Sequence, residues 1–502
     1  MFRLNAFRSP QRASPALPSL RWPAALTLTA AALALTGCAL QQPYQAPPMP
    51  VAAQWYAPTP HQGSTQALVD WWSGFDDPVL AQLVALAEAD SPTLARALAQ
   101  IDTARATVLA SGGAAWPAVT GSASVTRSNQ TGAVDVNNAS SSAITRKGGL
   151  DASWEIDLFG KARSSRESAQ AQLQARVDDW HDARVSLGAE VADDYVQYRA
   201  CRLLVSAYRR AAASQEQTVL STRAAVRAGL STGADGYLAE ASVARAATTA
   251  AQQEAACDDL VKSLVAVTGV DETALRAMVA RPGAPALPAP GGFQVSSLPA
   301  DLVRQRPDLA AAERTLAANY AAIGQARADR LPSLTLSGAI SASAAHTGSP
   351  GTLWSFGPSL SIPLFDAGTR RAAVDSAVAA YALQLATYRS AVRNAVRDVE
   401  QALVALNGAA LQSEQAARSA DQYRRYATAI ETSWGAGLDS LLTLEDARRT
   451  AITAETTLIG LQRDRVRYWI ALYKAVGGGW RIGISSAPPA SATTTSLPGV
   501  SQ

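Results

Sequence analysis

The sequence predicts a mainly α-helical fold with a membrane β-barrel portion, and three observations lead there. The chain reads as two copies of one plan. Each copy carries a long proline-free stretch, and each pairs that stretch with two segments of alternating polarity.

The duplication is explicit in the residues. Ser91-Pro92 opens an alanine-rich helical pattern, and Trp116-Pro117 follows 25 residues after Pro92; Pro307 opens another, and Leu331-Pro332 follows at the same spacing. Asp157 to Arg163 (DLFGKAR) is answered by Pro363 to Arg370 (PLFDAGTR). Ala228-Gly229-Leu230-Ser231-Thr232 is answered by Ala436-Gly437-Leu438-Asp439-Ser440, and Val267-Thr268-Gly269 by Ala475-Val476-Gly477. The offset is 215 at the prolines and about 207 afterwards, so one segment alone differs in length. Repeats organise the chain: repeat one over 81–278, a linker over 279–297 with Pro282, Pro285, Pro288 and Pro290, and repeat two over 298–477.

Prolines also delimit the helices. None lies between Pro117 and Pro282 or between Pro363 and Pro488, and a proline inside a helix costs about 3 kcal/mol. Arg163 to Ala228 and Arg370 to Trp434 are rich in Ala, Gln, Arg and Glu, and each can extend on the order of 100 Å at 1.5 Å per residue. Return helices are expected over about 235–268 and 438–476. In the second, Ile452, Ile459, Val466 and Tyr473 recur every seventh residue, as in a coiled-coil seam. So much alanine and so few large apolar residues suit helices packed side by side better than a compact core.

Four segments alternate with period two. Leu150, Ala152, Trp154, Ile156 and Leu158 alternate with polar residues, as do Trp354, Phe356, Pro358, Leu360, Ile362 and Leu364; the partner segments at about 117–127 and 332–342 are weaker, with Leu334, Leu336 and Ile340 the clearest face. Such segments of about ten residues fit outer-membrane strands, although a soluble two-sided sheet alternates in the same way. The hairpins fall at about 117–158 and 332–364. In lipid an open sheet edge has no partner, so spanning strands must close. Four strands cannot close alone, and about eight leave an interior filled with side chains. Three chains are the simplest channel.

The N-terminus reads as an export signal. Arg3, Arg8, Arg12 and Arg21 precede an apolar run from Ala24 to Leu35 that ends in Leu35-Thr36-Gly37-Cys38, too short to span a membrane. That ending resembles a bacterial lipobox, which makes residues 1–37 a signal peptide, Cys38 the lipidation site and 38–80 a lipidated arm; Ala39 after the cysteine implies the outer membrane. Removing the signal takes four arginines from 44 basic residues and no acid, leaving 40 basic against 41 acidic, a formal net charge of −1. With no basic block left, nucleic acid is not an expected partner. His61, His181 and His346 lie far apart and form no metal-ligand pattern; each is expected at the surface. With no nucleophile elbow or phosphate loop, an enzyme, a cofactor and a metal are not expected. The tail 478–502, rich in Ser, Thr, Ala and Pro, is expected to be disordered.

The most specific residues are Leu298-Pro299-Ala300-Asp301-Leu302-Val303-Arg304-Gln305-Arg306-Pro307-Asp308, followed by Glu313, together with Gly357 to Gly368 and Trp154 to Gly160. Over about 70–477 the chain resembles the outer membrane factors of tripartite efflux pumps, with the TolC-like fold, and more closely their NodT-type lipoprotein branch. Gln305 replaces a frequent arginine of that signature. The resemblance implies a homotrimer with a 12-strand barrel in the outer membrane and a 12-helix tunnel through the periplasm. It further implies a periplasmic adaptor and an inner-membrane transporter as partners, and small toxic compounds as cargo. An exit channel for protein secretion is the alternative reading, and a periplasmic adaptor or structural coiled-coil lipoprotein is a more distant one.

The resemblance also implies site residues. Gly229, Leu230, Gly437 and Leu438 form the two turns at which related channels dock their adaptor. Asp235 stands where the family's best-known member carries a linking aspartate, and Asp446 stands on a ring aspartate. Thr443 replaces the other ring aspartate, and Asp439 replaces an arginine partner, so the linking ion pair is absent. Spacing alone places Asp439, Thr443 and Asp446 on one helical stripe, a periplasmic aperture lined by acids. Cys201 and Cys257 have their midpoint at 229, which puts them at similar heights on two antiparallel helices. In an oxidising compartment they form either a disulfide or two buried thiols.

Overall fold

The computed structural model describes residues 42–48, 71–75, 77–130, 141–281, 287–289, 305–345 and 350–479. Cys38 and the signal segment, His61, His346, the 298–304 part of the arginine-proline motif, most of the linker and the tail beyond 479 lie outside the described residues. In order along the chain the elements are α1 (Pro78–Asp90), α2 (Pro92–Gly113), β1 (Ala118–Gln130), β2 (Ser141–Ile156), α3 (Lys161–Arg227), α4 (Gly233–Thr268) and α5 (Glu272–Val279). The second half holds α6 (Pro307–Ala328), β3 (Ser333–Ala345), β4 (Gly351–Ser361), α7 (Thr369–Gly435) and α8 (Leu441–Ala475). A short 3-10 turn, Trp71–Phe75, precedes α1. The chain divides into a strand unit, 114–164 with 324–371, and a helical unit formed by the remaining described residues from Tyr44 on.

Both long helices, α3 and α7, run for 67 residues, and their starts are built alike. The Asp157 carboxylate accepts from Arg163 N–H at 2.9 Å, and the Asp366 carboxylate accepts from the N–H groups of Gly368 and Arg370 at 3.0 and 3.2 Å. A carboxylate over the first turn satisfies free amide donors and opposes the helix dipole. Val279, placed in the linker by the sequence, is still helical: Asp271 caps α5 by accepting from Thr273 and Ala274.

The strand unit is one antiparallel sheet of order β1-β2-β3-β4, so the two hairpins join through β2 and β3. The register sorts its residues onto two faces. Val119 and Val125, then Leu150, Ala152, Trp154 and Ile156, then Leu334, Leu336 and Ile340, then Trp354, Phe356 and Leu360 stand opposite one another on one face. The other face is mainly Ser, Thr, Ala and Gly, with Lys147, Asp151 and Glu155. The Trp154 indole donates to the Ala115 carbonyl at 3.0 Å. Lys161 bridges Glu155 and Asp329 at 3.5 and 3.1 Å.

The helical unit has a compact core that the alanine content did not lead one to expect. Trp71, Phe75, Leu80, Leu83, Val191, Tyr195, Val261, Leu264, Leu275, Leu403, Trp469, Leu472 and Tyr473 are buried in one cluster. Large apolar residues are scarce along the helices as a whole but are gathered at matched heights on α3, α4, α7 and α8, where α1 and α5 cover them. Trp71 stacks on Tyr473 with centroids 4.7 Å apart. Among the described residues Asp77 is the one buried acid; it accepts from Val79 N–H at 3.0 Å and from the Tyr195 hydroxyl at 2.9 Å. Burial, and then that bond, push the Tyr195 hydroxyl up, so it stays a donor. His181 corrects the expectation of three surface histidines: it is only 8% exposed, and burial lowers its pKa, keeping the ring neutral at pH 7. In the α8 seam Ile459, Val466 and Tyr473 are buried and Ile452 is partly so.

The arginine-proline motif has a structural task where it is described. Arg306, nearly buried, donates to the Ala475 carbonyl at the end of α8 at 2.9 Å, grips Asp308 at 2.7 and 3.0 Å and faces Asp398 of α7 at 3.8 Å. Pro307 then starts α6, a position where its missing N–H costs nothing.

Cys201 of α3 and Cys257 of α4 are joined, with sulfurs 2.08 Å apart, and pack against Val205 and Leu260. They stand 56 positions apart in sequence, with the α3–α4 turn between them. Chain-entropy arguments put such a link at about 4 kcal/mol. Replacing both cysteines with serine is therefore expected to lower the melting temperature by several degrees. Equal thiol counts before and after reduction of the denatured wild-type protein would rule the bridge out.

Candidate functional site

The end of the helical unit where α3 meets α4 and α7 meets α8 carries most of the residues singled out above. Each long helix stops in the same motif. Gly229 is left-handed (φ 73°), its N–H donates to Val226 and Leu230 N–H donates to Ala225; Gly437 (φ 77°) donates to Trp434 and Leu438 to Ser433. This pair of hydrogen bonds over a left-handed glycine terminates a helix, and the residue after the glycine often packs back on the last turn. Here it does not. Leu230 is 83% exposed and Leu438 80%, with Tyr237 and Leu442 exposed nearby. Two identical turns thus present leucines to the surroundings.

The return helices are capped alike. Thr232 accepts from Asp235 N–H, and Asp235 accepts in turn from the Ser231 and Thr232 hydroxyls (both 2.7 Å) and from Thr232 N–H at 3.0 Å, a reciprocal capping box. The Ser231 and Thr232 bonds hold the Asp235 carboxyl below the usual range. Ser440 caps α8 by accepting from Thr443 N–H at 3.1 Å, and its hydroxyl meets the Thr443 hydroxyl at 2.8 Å. The expected stripe of Asp439, Thr443 and Asp446 is corrected by this cap. Because Ser440 ends the turn, Asp439 precedes the helix and does not share its face. Asp446 is exposed and pairs with Arg449 one turn on.

Sequence reading missed a second set of residues that ties the two helical hairpins together. Arg448 of α8 pairs with Glu431 of α7, donates to the Thr218 hydroxyl of α3 at 2.6 Å and faces Glu445 at 3.6 Å, while Gln215 of α3 donates to Glu445 at 3.1 Å. Farther along the same helices Arg210 meets Glu455 at 2.5 Å, and Arg467 grips Asp193 at 2.6 and 3.1 Å. Val219, Ala239, Leu441 and Leu444 fill the space between the four helix ends. The Glu445/Arg448 spacing was visible, but it also suits an ordinary solvated helix face. Only the packing of α3 on α8 shows that these side chains face another hairpin.

Among the described residues no helix is long and apolar enough to cross a membrane, and no group of three His, Cys, Asp or Glu could hold a metal ion. The sheet is the part suited to lipid. Trp354 and Phe356 are 74% and 70% exposed on its apolar face, while its polar face is fit to line water. Among the described residues the outer edges of β1 and β4 carry no partner strand.

The sequence model of the outer membrane efflux protein family matches residues 83–270 and again 298–478. The chain belongs to this family. It is 30% identical over 472 residues to the antibiotic efflux pump outer membrane protein ArpC of Pseudomonas putida, covering 91% of this chain and 95% of that one. It is likewise 30% identical over 461 residues to nodulation protein T of Rhizobium leguminosarum bv. trifolii, covering 89% and 96%. The outer-membrane channel OprN superposes with a TM-score of 0.79 at 29% identity, over 88% of this chain and all of that one. The chain is accordingly an outer-membrane efflux channel of TolC-like fold with a periplasmic helical tunnel.

Proposed function

We propose that three copies of this chain form the exit duct of a tripartite pump. Each gives four strands to a 12-strand barrel and four helices to the tunnel. The two-faced sheet with open edges at β1 and β4 carries this reading: an apolar face and unpaired backbone can coexist in lipid only if the sheet closes with other copies. Cys38 anchors the mature chain by acyl groups, and no enzymatic step is assigned. The Gly229-Leu230 and Gly437-Leu438 turns dock a periplasmic adaptor that joins the duct to an inner-membrane transporter. Asp235, Thr443 and Asp446 surround the periplasmic aperture, and Asp439 lies in the turn just before α8. The cargo is small toxic compounds, a class that includes the antibiotics named in the description of the relative ArpC.

Single-channel recording of the purified full-length protein in planar bilayers, with its mass in detergent, tests this. A trimer with discrete conductance steps is expected. A monomer without conductance would mean that the sheet is not a membrane barrel.

A further inference from the structure

We propose that the loop end of the sheet's apolar face binds the phosphate groups of an outer-leaflet glycolipid through Arg127 and Arg146. Register places both on that face. Val125 stands opposite Arg146 and Arg127 opposite Ile144, so the arginines are diagonal neighbours on β1 and β2, with backbones about 7–8 Å apart. Both are exposed. The described residues of the same half of the sheet, 122–130, 141–149, 341–345 and 350–354, contain no acid that could pair with them.

Height fixes what the pair meets. Ile156 and Arg146 are separated by about ten residues of β2. That is about 34 Å along a strand and about 26 Å of height at a barrel tilt of about 40°, close to the apolar band of such barrels. Arginine on the lipid face is costly at mid-bilayer and nearly free at the interface, which agrees with a place level with the headgroups.

Aromatic residues usually mark both interfaces of a barrel. Here Trp116 and Trp154 stand at the helix-joined end of the sheet. Between Val125 and Leu150, and between Ile340 and Leu353, the sequence has no Phe, Tyr or Trp. Cationic anchors take the place of aromatic ones at the loop end, and guanidinium groups bind phosphate oxygens two at a time.

The inference rests on the apolar face meeting lipid, so the test keeps the two apart. Full-length wild-type protein and the R127Q/R146Q variant are first checked for equal conductance, then titrated in detergent with diphosphorylated lipid A and with the same lipid stripped of phosphate. Each basic side chain near an anionic lipid surface contributes about fivefold, so the double variant should bind the diphosphorylated lipid roughly 25-fold more weakly. R127K/R146K should keep most of the affinity, and the stripped lipid should bind all forms alike. Equal affinity of wild type and R127Q/R146Q for the phosphorylated lipid overturns the proposal, as does competition by inorganic phosphate alone at the same concentration. If the glutamine variant does not assemble, the wild type decides: indifference to the lipid's phosphates overturns it as well.

Discussion

Replacing Leu230 and Leu438 together with aspartate is expected to abolish export in cells while leaving assembly and conductance unchanged. Both leucines are more than three-quarters exposed at the tips of identical turns, where a helix-terminating motif would ordinarily fold the side chain inward. Since the described residues leave both side chains largely uncovered, the substitution should barely alter folding. Burying a leucine in a partner contributes about 2 kcal/mol, and a docked assembly would use the pair three times over. Sensitivity of the expressing cells should rise to that of cells lacking the channel, an effect on the order of tenfold or more by that arithmetic. Conductance of the purified variant should match wild type. Full resistance with both leucines replaced would remove the turns from the docking surface and leave the channel reading standing.

Gly477→Val should prevent the folded channel from accumulating. Gly477 is left-handed (φ 89°), and a Cβ there would lie 2.9 Å from the Gln305 carbonyl oxygen and 3.0 Å from Arg306 Cα. Both contacts are backbone and cannot swing away. The strained conformation costs roughly 1–2 kcal/mol for a residue with a Cβ, and the clash would push the 305–306 segment off α8, breaking the bond from Arg306 to the Ala475 carbonyl. A total near 4 kcal/mol is expected. Gly229→Ala is the internal comparison. Gly229 has the same kind of backbone (φ 73°), but nothing lies within 4 Å of a Cβ there, so only about 1 kcal/mol should be lost. The yield of detergent-extracted folded protein reads the first variant, and thermal unfolding of the purified protein reads the second. Equal, mild losses at the two glycines would show that the approach of Gln305 to Gly477 is not limiting.

Asp235 illustrates how a residue singled out by position can have a local task besides. The family pattern marks it as a link to another helix, whereas in the chain its carboxylate is occupied by Ser231 and Thr232 at the start of its own helix. Thr232-x-x-Asp235 is a capping box that the sequence displays outright. The single stripe through Asp439, Thr443 and Asp446 failed for a different reason. Spacing arguments assume a continuous helix, and Ser440, an equally visible N-cap residue, interrupts it.

What was legible from residue order alone were properties that repeat or alternate over many positions. Proline-free length set the long helices, period two set the strands, and the paired Ala-Gly-Leu turns set where the helices end. Each is governed by local backbone sterics and by the polarity of the two faces of one element, so neighbours in sequence suffice to express it. Tertiary structure alone decided which elements meet. The join of the two hairpins through β2 and β3, the core of Trp71, Tyr195, Leu403 and Tyr473, and the ties Arg448–Thr218 and Arg467–Asp193 connect residues tens to hundreds of positions apart. Many carboxylates and arginines along these helices are chemically equivalent as partners. Only packing, which brings a particular pair to one height and one face, selects among them.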